Sequence, residues 1–307
     1  MAATGNLRGI ALFNLTILLF AVMDSMIKTL SATYPTAQIA FFRAAFALLP
    51  LAVAVVHAGG VKVLRTERPW SHVLRAGVSA AAVFCFFKAF GLLPLADVYA
   101  LSFAAPLFVT ALSVPILKET VGWRRWAAVL VGFAGVVVML RPGAGVLSVA
   151  ALLPLAGAFF YALTMLYVRH LSRTETNEAI VFYFMATLTV LAGIVMLPAW
   201  VTPTPLHLGL LVATGIVGGV AQLTVTQAFR LAAPSLLVPF EYSGMLWAVA
   251  FGWFFFGEMP DAWIGAGAAI VIASGLYILH RETAAARAGS GPAGPEPALA
   301  DAAPGRE

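Results

Sequence analysis

Long apolar stretches recur along almost the whole chain, and they constrain its fold more than any other feature. Hydrophobic residues make up 62% of the 307 residues, whereas charged residues make up only 10%. A soluble domain carries about 25% charged residues, and about 20 consecutive apolar residues in a helix cross a bilayer core. The sequence therefore predicts an all-α polytopic membrane protein whose main partner is the lipid bilayer.

Ten apolar segments have the length of a transmembrane helix, and short loops rich in Gly, Pro and polar residues separate them. The predicted spans are roughly 9–30, 36–57, 74–93, 97–117, 124–140, 149–170, 178–199, 207–230, 235–256 and 262–280. Residues 1–8 precede the first span. Residues 282–307 are rich in Ala, Gly and Pro and lack large apolar groups, which predicts a disordered tail.

The two halves of the chain resemble each other. "FAVMDSMIKTLS" (20–31) aligns with "YALTMLYVRHLS" (161–172) at an offset of 141 residues, and Glu119 aligns with Glu258 at an offset of 139. Three further matches lie in the same order, joining 39–43 to 180–184, 88–90 to 227–229, and 135–141 to 275–281.

These matches predict two repeats of five transmembrane helices each, over 9–141 and 147–281. Because five is an odd number, the second repeat would enter the membrane inverted relative to the first. Inverted repeats are typical of secondary transporters, whose binding site lies near the bilayer midplane between the repeats.

The basic residues predict the orientation. All of the eighteen Lys and Arg residues except Lys28, Arg43, Lys88 and Arg141 fall on the side of the N-terminus. Loops with excess Lys and Arg face the cytoplasm, so both termini are predicted to be cytoplasmic in the inner (plasma) membrane. The same bias accounts for the net charge of +5 without a nucleic-acid partner.

Four ionisable residues lie well within predicted spans, namely Asp24, Arg43, Lys88 and Glu241. Such residues are costly in a bilayer and are functional candidates by default. Asp24 and Arg43 either form an ion pair between two spans or line an aqueous cavity, exchanging partners with a substrate or a proton. Asp24 could also pair with Lys28, four residues further on. Lys88 either joins the site or reaches outward from its helix end.

Glu241 is the most informative of the four, in the stretch "LLVPFEYSGMLWAVAFGWFFFGE" (236–258). Its span carries no basic residue, and Pro239 perturbs the helix two residues earlier. In an apolar environment the uncharged form of a carboxyl group costs less than the charged form. Glu241 could therefore carry a proton, bind a cationic group of a substrate, or remain a neutral acid bonded to a carbonyl.

Other polar and aromatic residues could line the same cavity or make interhelical hydrogen bonds. They are Asn14, Tyr99, Gln222, Thr226, Gln227, Tyr242 and Trp247. There is no HExxH motif, no Gly-rich phosphate loop, and no His or Cys cluster with metal-ligand spacing. The sequence thus predicts no enzyme, no cofactor and no metal site. The small residues of "VGFAGVVV" and "GAGAAIVIASG" predict close helix packing, either between the repeats or between two copies in a homodimer.

The chain resembles the EamA family of the drug/metabolite transporter (DMT) superfamily over about residues 8 to 281. The resemblance rests on "FRAAFALLPL", "LKETVGWRRWAAVLVGFAGVVVMLRPG" and "AFRLAAPSLLVPFEYSGMLWAVAFGWFFFGEMPDAW". It implies a ten-helix transporter with a central cavity, in which Arg43, Lys88, Glu241 and Trp247 are lining candidates. Similar proteins export amino acids and other metabolites or take up nutrients such as riboflavin and S-adenosylmethionine.

The sequence therefore predicts a transporter of a small polar or amphipathic metabolite that works by alternating access, with a proton as a further candidate partner. The substrate would be an amino-acid-like zwitterion or an amphipathic nutrient such as riboflavin or S-adenosylmethionine. Arg43, with Asp24 as its resting partner, would bind a substrate carboxylate or phosphate, and Glu241 would hold an amine or a proton. Gln227 and Tyr242 complete the candidate substrate-binding set. The alternatives are a non-transporting membrane sensor or scaffold, and a channel.

Overall fold

The computed structural model describes residues 2–117, 122–141, 149–171, 174–232 and 234–289, and in these ranges it confirms an all-α protein without strands. The helices are α1 (Ala2–Ser31), α2 (Thr36–His57), α3 (Pro69–Phe90), α4 (Leu95–Ser102), α5 (Ala105–Leu117), α6 (Trp123–Leu140), α7 (Val149–Leu171), α8 (Asn177–Met196), α9 (Pro205–Leu231), α10 (Pro234–Leu237), α11 (Gly244–Phe256) and α12 (Ala262–Gly289). Short 3₁₀ segments occupy Gly60–Leu64, Leu197–Ala199 and Val238–Ser243.

Nine helical stretches within these ranges are long and apolar enough to cross a membrane, with α4 and α5 counted as one stretch. The predicted span 235–256 is different, because it is not one continuous helix. It consists of α10, the 3₁₀ segment Val238–Ser243 and α11. Pro239 lies within the 3₁₀ segment, where it lacks an amide donor and crowds the preceding turn, so the expected perturbation at this residue is confirmed.

The fourth span has a matching interruption that the sequence analysis did not predict. Phe103 and Ala104 form a turn between α4 and α5. Pro106 follows in the first turn of α5, where its missing amide removes a bond that a continuous helix would need. At the offset of 139 residues, Phe103 corresponds to Tyr242, so the two spans are interrupted at equivalent positions.

The contacts between helices are symmetric with respect to the alignment of the two halves: if each helix is replaced by its aligned counterpart, one contact becomes another. α1 packs against α9 while α3 packs against α7, and α2 packs against α9 while α3 packs against α8. α2 with α8, α4 with α11, and α6 with α12 each join a helix to its counterpart in the other half. Two repeats related by a two-fold axis would make these contacts. They also place α4 and α11, the helices beside the two breaks, in contact with each other.

The two stretches of small residues pack against each other within one chain. A Cβ added to Gly135 of α6 would stand 2.9 Å from the carbonyl oxygen of Gly267 in α12. Ser274 of α12 donates a hydrogen bond to the carbonyl oxygen of Ala128 in α6. Close packing is thus realised between α6 and α12, the last helix of each half.

Some predicted boundaries differ from the structure. α12 continues to Gly289, so the segment predicted as a disordered tail from residue 282 begins as helix, because "ETAAARA" is rich in strong helix formers. α1 already begins at Ala2, ahead of the predicted span. The remainder of the tail, the loop 142–148 and Glu119 lie outside the described residues.

Candidate functional site

Glu241 lies in the 3₁₀ segment that interrupts the ninth span, one turn before α11 begins. Its side chain is accessible to a water-sized sphere, yet protein atoms surround it. An exposed side chain with many protein atoms around it can line an internal space. The break in the helix also frees backbone polar groups, which membrane proteins tolerate where the backbone lines a cavity.

Two tyrosines lie within electrostatic range of Glu241. Tyr161 of α7 is 38% exposed and lies within electrostatic range of Glu241. Tyr242 is the next residue after Glu241, and its ring packs on Phe103. Gly275 of α12 leaves room for the Tyr242 hydroxyl, with which an added Cβ would collide. The site at Glu241 therefore combines one carboxyl group with two phenol groups.

Asn14 of α1 borders this region. The Ser243 hydroxyl donates to its side-chain oxygen at 3.5 Å, and its amide nitrogen donates to Ile10 at 3.0 Å. Trp247, in contrast, packs on Phe251 and joins an apolar cluster with Phe13 and Ile17. Asn14 can thus present polar atoms near Glu241, whereas the structure places Trp247 in a packing role.

Asp24 and Arg43 form a second charged centre. Both side chains are buried, and each lies within electrostatic range of the other. No ion pair within 4 Å joins them, and one oxygen of the Asp24 carboxylate accepts a 2.7 Å hydrogen bond from the hydroxyl of Tyr99. The direct pair proposed between Asp24 and Arg43 is therefore not formed in this state.

The guanidinium of Arg43 is left with unused donors. Its Nε and Nη1 atoms are buried and have no hydrogen-bond partner among the described residues. The ring of Phe87 lies 5.8 Å away, and Gly218 of α9 stands beside Nε. A buried donor without a partner is costly, so an arginine in this condition can receive an anionic group.

Lys28 does not pair with Asp24 on its own helix. Its Nζ lies 2.9 Å from Glu258 and donates to the carbonyl oxygens of Phe90 and Leu93 at 3.3 and 2.6 Å. Glu258 in turn accepts from the amide of Leu95 at 3.2 Å. These bonds tie the end of α1 to the α3–α4 loop and to the α11–α12 loop, because all of these chain ends meet at one end of the bundle.

Lys88 and Gln227 are exposed in the last turns of α3 and α9, and no described contact joins either to Arg43 or Glu241. Arg75, which the sequence analysis assigned to the cytoplasmic side, is buried in α3. It donates to the carbonyl oxygen of Ile180 at 2.7 Å and lies over the ring of Phe184. Arg75 thus secures α3 to α8.

A separate cleft lies between α2, α8 and α9. Gln222 and Thr226 line it, together with mainly apolar side chains, and Glu178 of the lining is paired with Arg230 at 3.1 Å. Glu241 does not line this cleft. The charged residue of the cleft, Glu178, is already paired with Arg230. The unpaired groups at Glu241 and Arg43 therefore define the stronger candidate site.

The sequence analysis missed Tyr161 and did not assign Tyr99 to the site. Tyr161 opens the stretch that aligns with the one holding Asp24, which was an available signal. Tyr99 was grouped with many polar residues that could equally bond between helices, and only its contact with Asp24 separates it from them.

A bundle of apolar helices with buried charged groups in two of them and a carboxyl group at a helix break is typical of helical membrane transporters. The model of the EamA-like transporter family matches residues 7–141 and again 148–279. The chain belongs to the EamA-like transporter family.

Several named relatives align with most of the chain. A riboflavin transporter of Vibrio cholerae is 31% identical over 88% of this chain and 92% of its own length. A pseudopaline exporter of Pseudomonas aeruginosa is 32% identical over 86% and 93%, and an S-adenosylmethionine uptake transporter of Rickettsia prowazekii is 29% identical over 90% and 94%. A solved crystal structure with 21% identity matches at a TM-score of 0.62, over 94% of this chain and 99% of that one, which shows the shared fold.

Proposed function

We propose that the protein carries a polar organic metabolite across the inner membrane by alternating access, through the internal space that Glu241 lines. The observation that carries this proposal is an accessible carboxyl group that protein surrounds at a break in a membrane helix. In water a carboxyl group has no desolvation cost. Inside a bilayer its cost is offset only where it meets water, a substrate or a proton.

Arg43 is the proposed anchor for a carboxylate or phosphate of the substrate, because its two buried nitrogen atoms lack partners in the described structure. Glu241, flanked by Tyr161 and Tyr242, is proposed to hold an amine of the substrate or a transported proton. The relatives named above carry riboflavin, S-adenosylmethionine and pseudopaline, which are polar organic molecules. We infer a substrate of that general class for this chain.

We further propose that residues 9–141 and 147–281 are inverted repeats whose relative rotation opens the cavity to each side in turn. The helix contacts and the matching breaks at Phe103 and Tyr242 support this architecture. If both termini are cytoplasmic, as the distribution of basic residues indicates, the Lys28–Glu258 contact closes the outer end. The structure then represents a state closed to the outside.

A homodimer was also considered because of the small residues in the last helix of each half. Those residues are already occupied by the contact between α6 and α12, so a dimer would need another face. The proposed transport cycle is complete within one chain.

The test is efflux from proteoliposomes loaded with a whole-cell metabolite extract and read by mass spectrometry. We expect selective loss of a few compounds through the wild type and a reduced rate through Glu241→Gln. Glu67→Gln, an exposed loop carboxylate, is the matched control and should behave as the wild type. If wild type releases nothing in the presence or absence of a pH gradient, the chain is not a transporter and a sensor or scaffold role takes its place.

A further inference from the structure

Three polar side chains from three helices meet in the second charged centre, and their bonding is uneven. Asp24 of α1 accepts a 2.7 Å bond from Tyr99 of α4. Arg43 of α2 is within electrostatic range of Asp24 but leaves Nε and Nη1 without partners among the described residues. A carboxylate beside an arginine would be expected to form a bidentate pair. Here one oxygen of the carboxylate, Oδ2, accepts a hydrogen bond from the tyrosine hydroxyl instead.

The ring of Tyr99 has two close neighbours, Gly244 and Phe90. A Cβ added to Gly244 would stand 3.0 Å from the ring edge, so the glycine at the start of α11 lets the ring pack directly on the backbone. The ring of Phe90 lies 6.4 Å away, centroid to centroid. Gly244 is three residues after Glu241, so the same tyrosine contacts Asp24 through its hydroxyl and the broken helix through its ring.

We propose that Tyr99 is a positioning residue that keeps Arg43 free for the anionic group of the substrate. This inference rests on the proposed function. It adds a means by which the site would select substrates that carry an anionic group. With its hydroxyl in place, Asp24 has a donor at Oδ2 and the guanidinium stays available to a carboxylate or phosphate. Without the hydroxyl, Asp24 becomes a buried charge that lacks a donor, and Arg43 is the cation that can satisfy it. Pairing with Asp24 would then compete with the substrate.

The experiment measures how fast phenylglyoxal, a reagent for free guanidinium groups, modifies Arg43 in the purified full chain. Peptide mass spectrometry reads the rate, with Arg65 of the exposed α2–α3 loop as internal reference. We expect Tyr99→Phe to slow modification of Arg43 by roughly tenfold, the effect of one hydrogen-bonded charge pair. Adding Asp24→Asn to Tyr99→Phe should return the rate to that of the wild type, and Tyr277→Phe on the bundle surface should leave it unchanged.

Gly244→Ala provides a second perturbation that keeps the hydroxyl but displaces the ring, and it should slow Arg43 modification in the same direction. Equal rates in wild type, Tyr99→Phe and Gly244→Ala would overturn the inference. So would a failure of the reagent to modify Arg43 in any variant, including Asp24→Asn, because the guanidinium would then be unavailable to any anion. The readout needs no substrate, so a chain that shows the expected rates but transports nothing would contradict the proposed function alone.

Discussion

The rings of Phe103 and Tyr242 pack edge to face, with their centroids 5.1 Å apart and their planes at 71°. One ring follows α4 and the other precedes α11, so the contact joins the two helix breaks. The residues are equivalent at the offset of 139, and a residue that contacts its own equivalent lies on the axis relating the two halves. The proposed axis therefore passes beside Glu241, which has Ser102 as its counterpart.

The Lys28–Glu258 pair should be an energetically significant contact at its end of the bundle. The two side chains are only 11% and 25% exposed, and both make further hydrogen bonds to backbone groups. A double-mutant cycle with Lys28→Met and Glu258→Gln, measured by unfolding in detergent micelles, should give a coupling energy of about 1 to 3 kcal/mol.

The Arg141–Asp261 pair at the same end is the matched control, because its aspartate is 51% exposed. Solvent screens such a pair, so its coupling should stay below about 1 kcal/mol. A coupling for Lys28–Glu258 as small as that of the control pair would contradict the closing role given to this contact.

Gly135 should be required for the contact between α6 and α12. In Gly135→Ala the new methyl group would meet the backbone oxygen of Gly267 at 2.9 Å, and backbone cannot move aside as a side chain can. We expect a loss of about 1 to 3 kcal/mol in stability, typical of overpacking, seen as a lower Tm in detergent. Gly209→Ala in α9, which has open space around it, should be neutral or stabilising, since Ala favours helix. Equal Tm changes would show that α6 and α12 pack less closely.

Tyr161 should contribute to substrate binding through its ring and its hydroxyl separately. Tyr161→Ala removes a large aromatic surface from the internal space near Glu241, so the KM for the compound identified by efflux should rise by roughly tenfold or more. Tyr161→Phe keeps the ring and should lie between wild type and the alanine variant. Transport kinetics in proteoliposomes distinguish the variants. An unchanged KM in Tyr161→Ala would place this residue outside the substrate path.

The sequence predicted the spans well, because the length of an apolar segment and the polar loops that bound it are local properties. Pro239 also indicated a perturbation of the ninth span, since the effect of a proline on a helix is local too. The break at Phe103 was not predicted. Pro106 lies in a long apolar run, and helices in membranes often accommodate a proline when neighbours satisfy the freed groups. Whether the helix bends or ends there depends on the packing of α4 against α11.

The partners of the charged residues could not be predicted from the sequence. A pair of Lys28 with Asp24 on the same helix was one alternative, and Lys28 instead pairs with Glu258 in the loop before α12. An ion pair of Asp24 with Arg43 was another alternative, and Asp24 instead accepts a hydrogen bond from Tyr99 of another helix. Helix spacing shows which residues share a face, whereas the choice among several donors depends on distances that only the assembled bundle fixes.

The most direct test of the central claim is the water accessibility of position 241. Glu241→Cys, in a Cys85→Ser background, is treated with a membrane-impermeant maleimide in right-side-out and inside-out vesicles. Leu246→Cys is the control, since Leu246 is 72% exposed in the same span yet is expected to face lipid, where a thiolate cannot form. We predict labelling of position 241 from the cytoplasmic side, slowed by the transported compound, and no labelling at position 246. A cysteine at position 241 that stays unlabelled from both sides would contradict an aqueous cavity at Glu241.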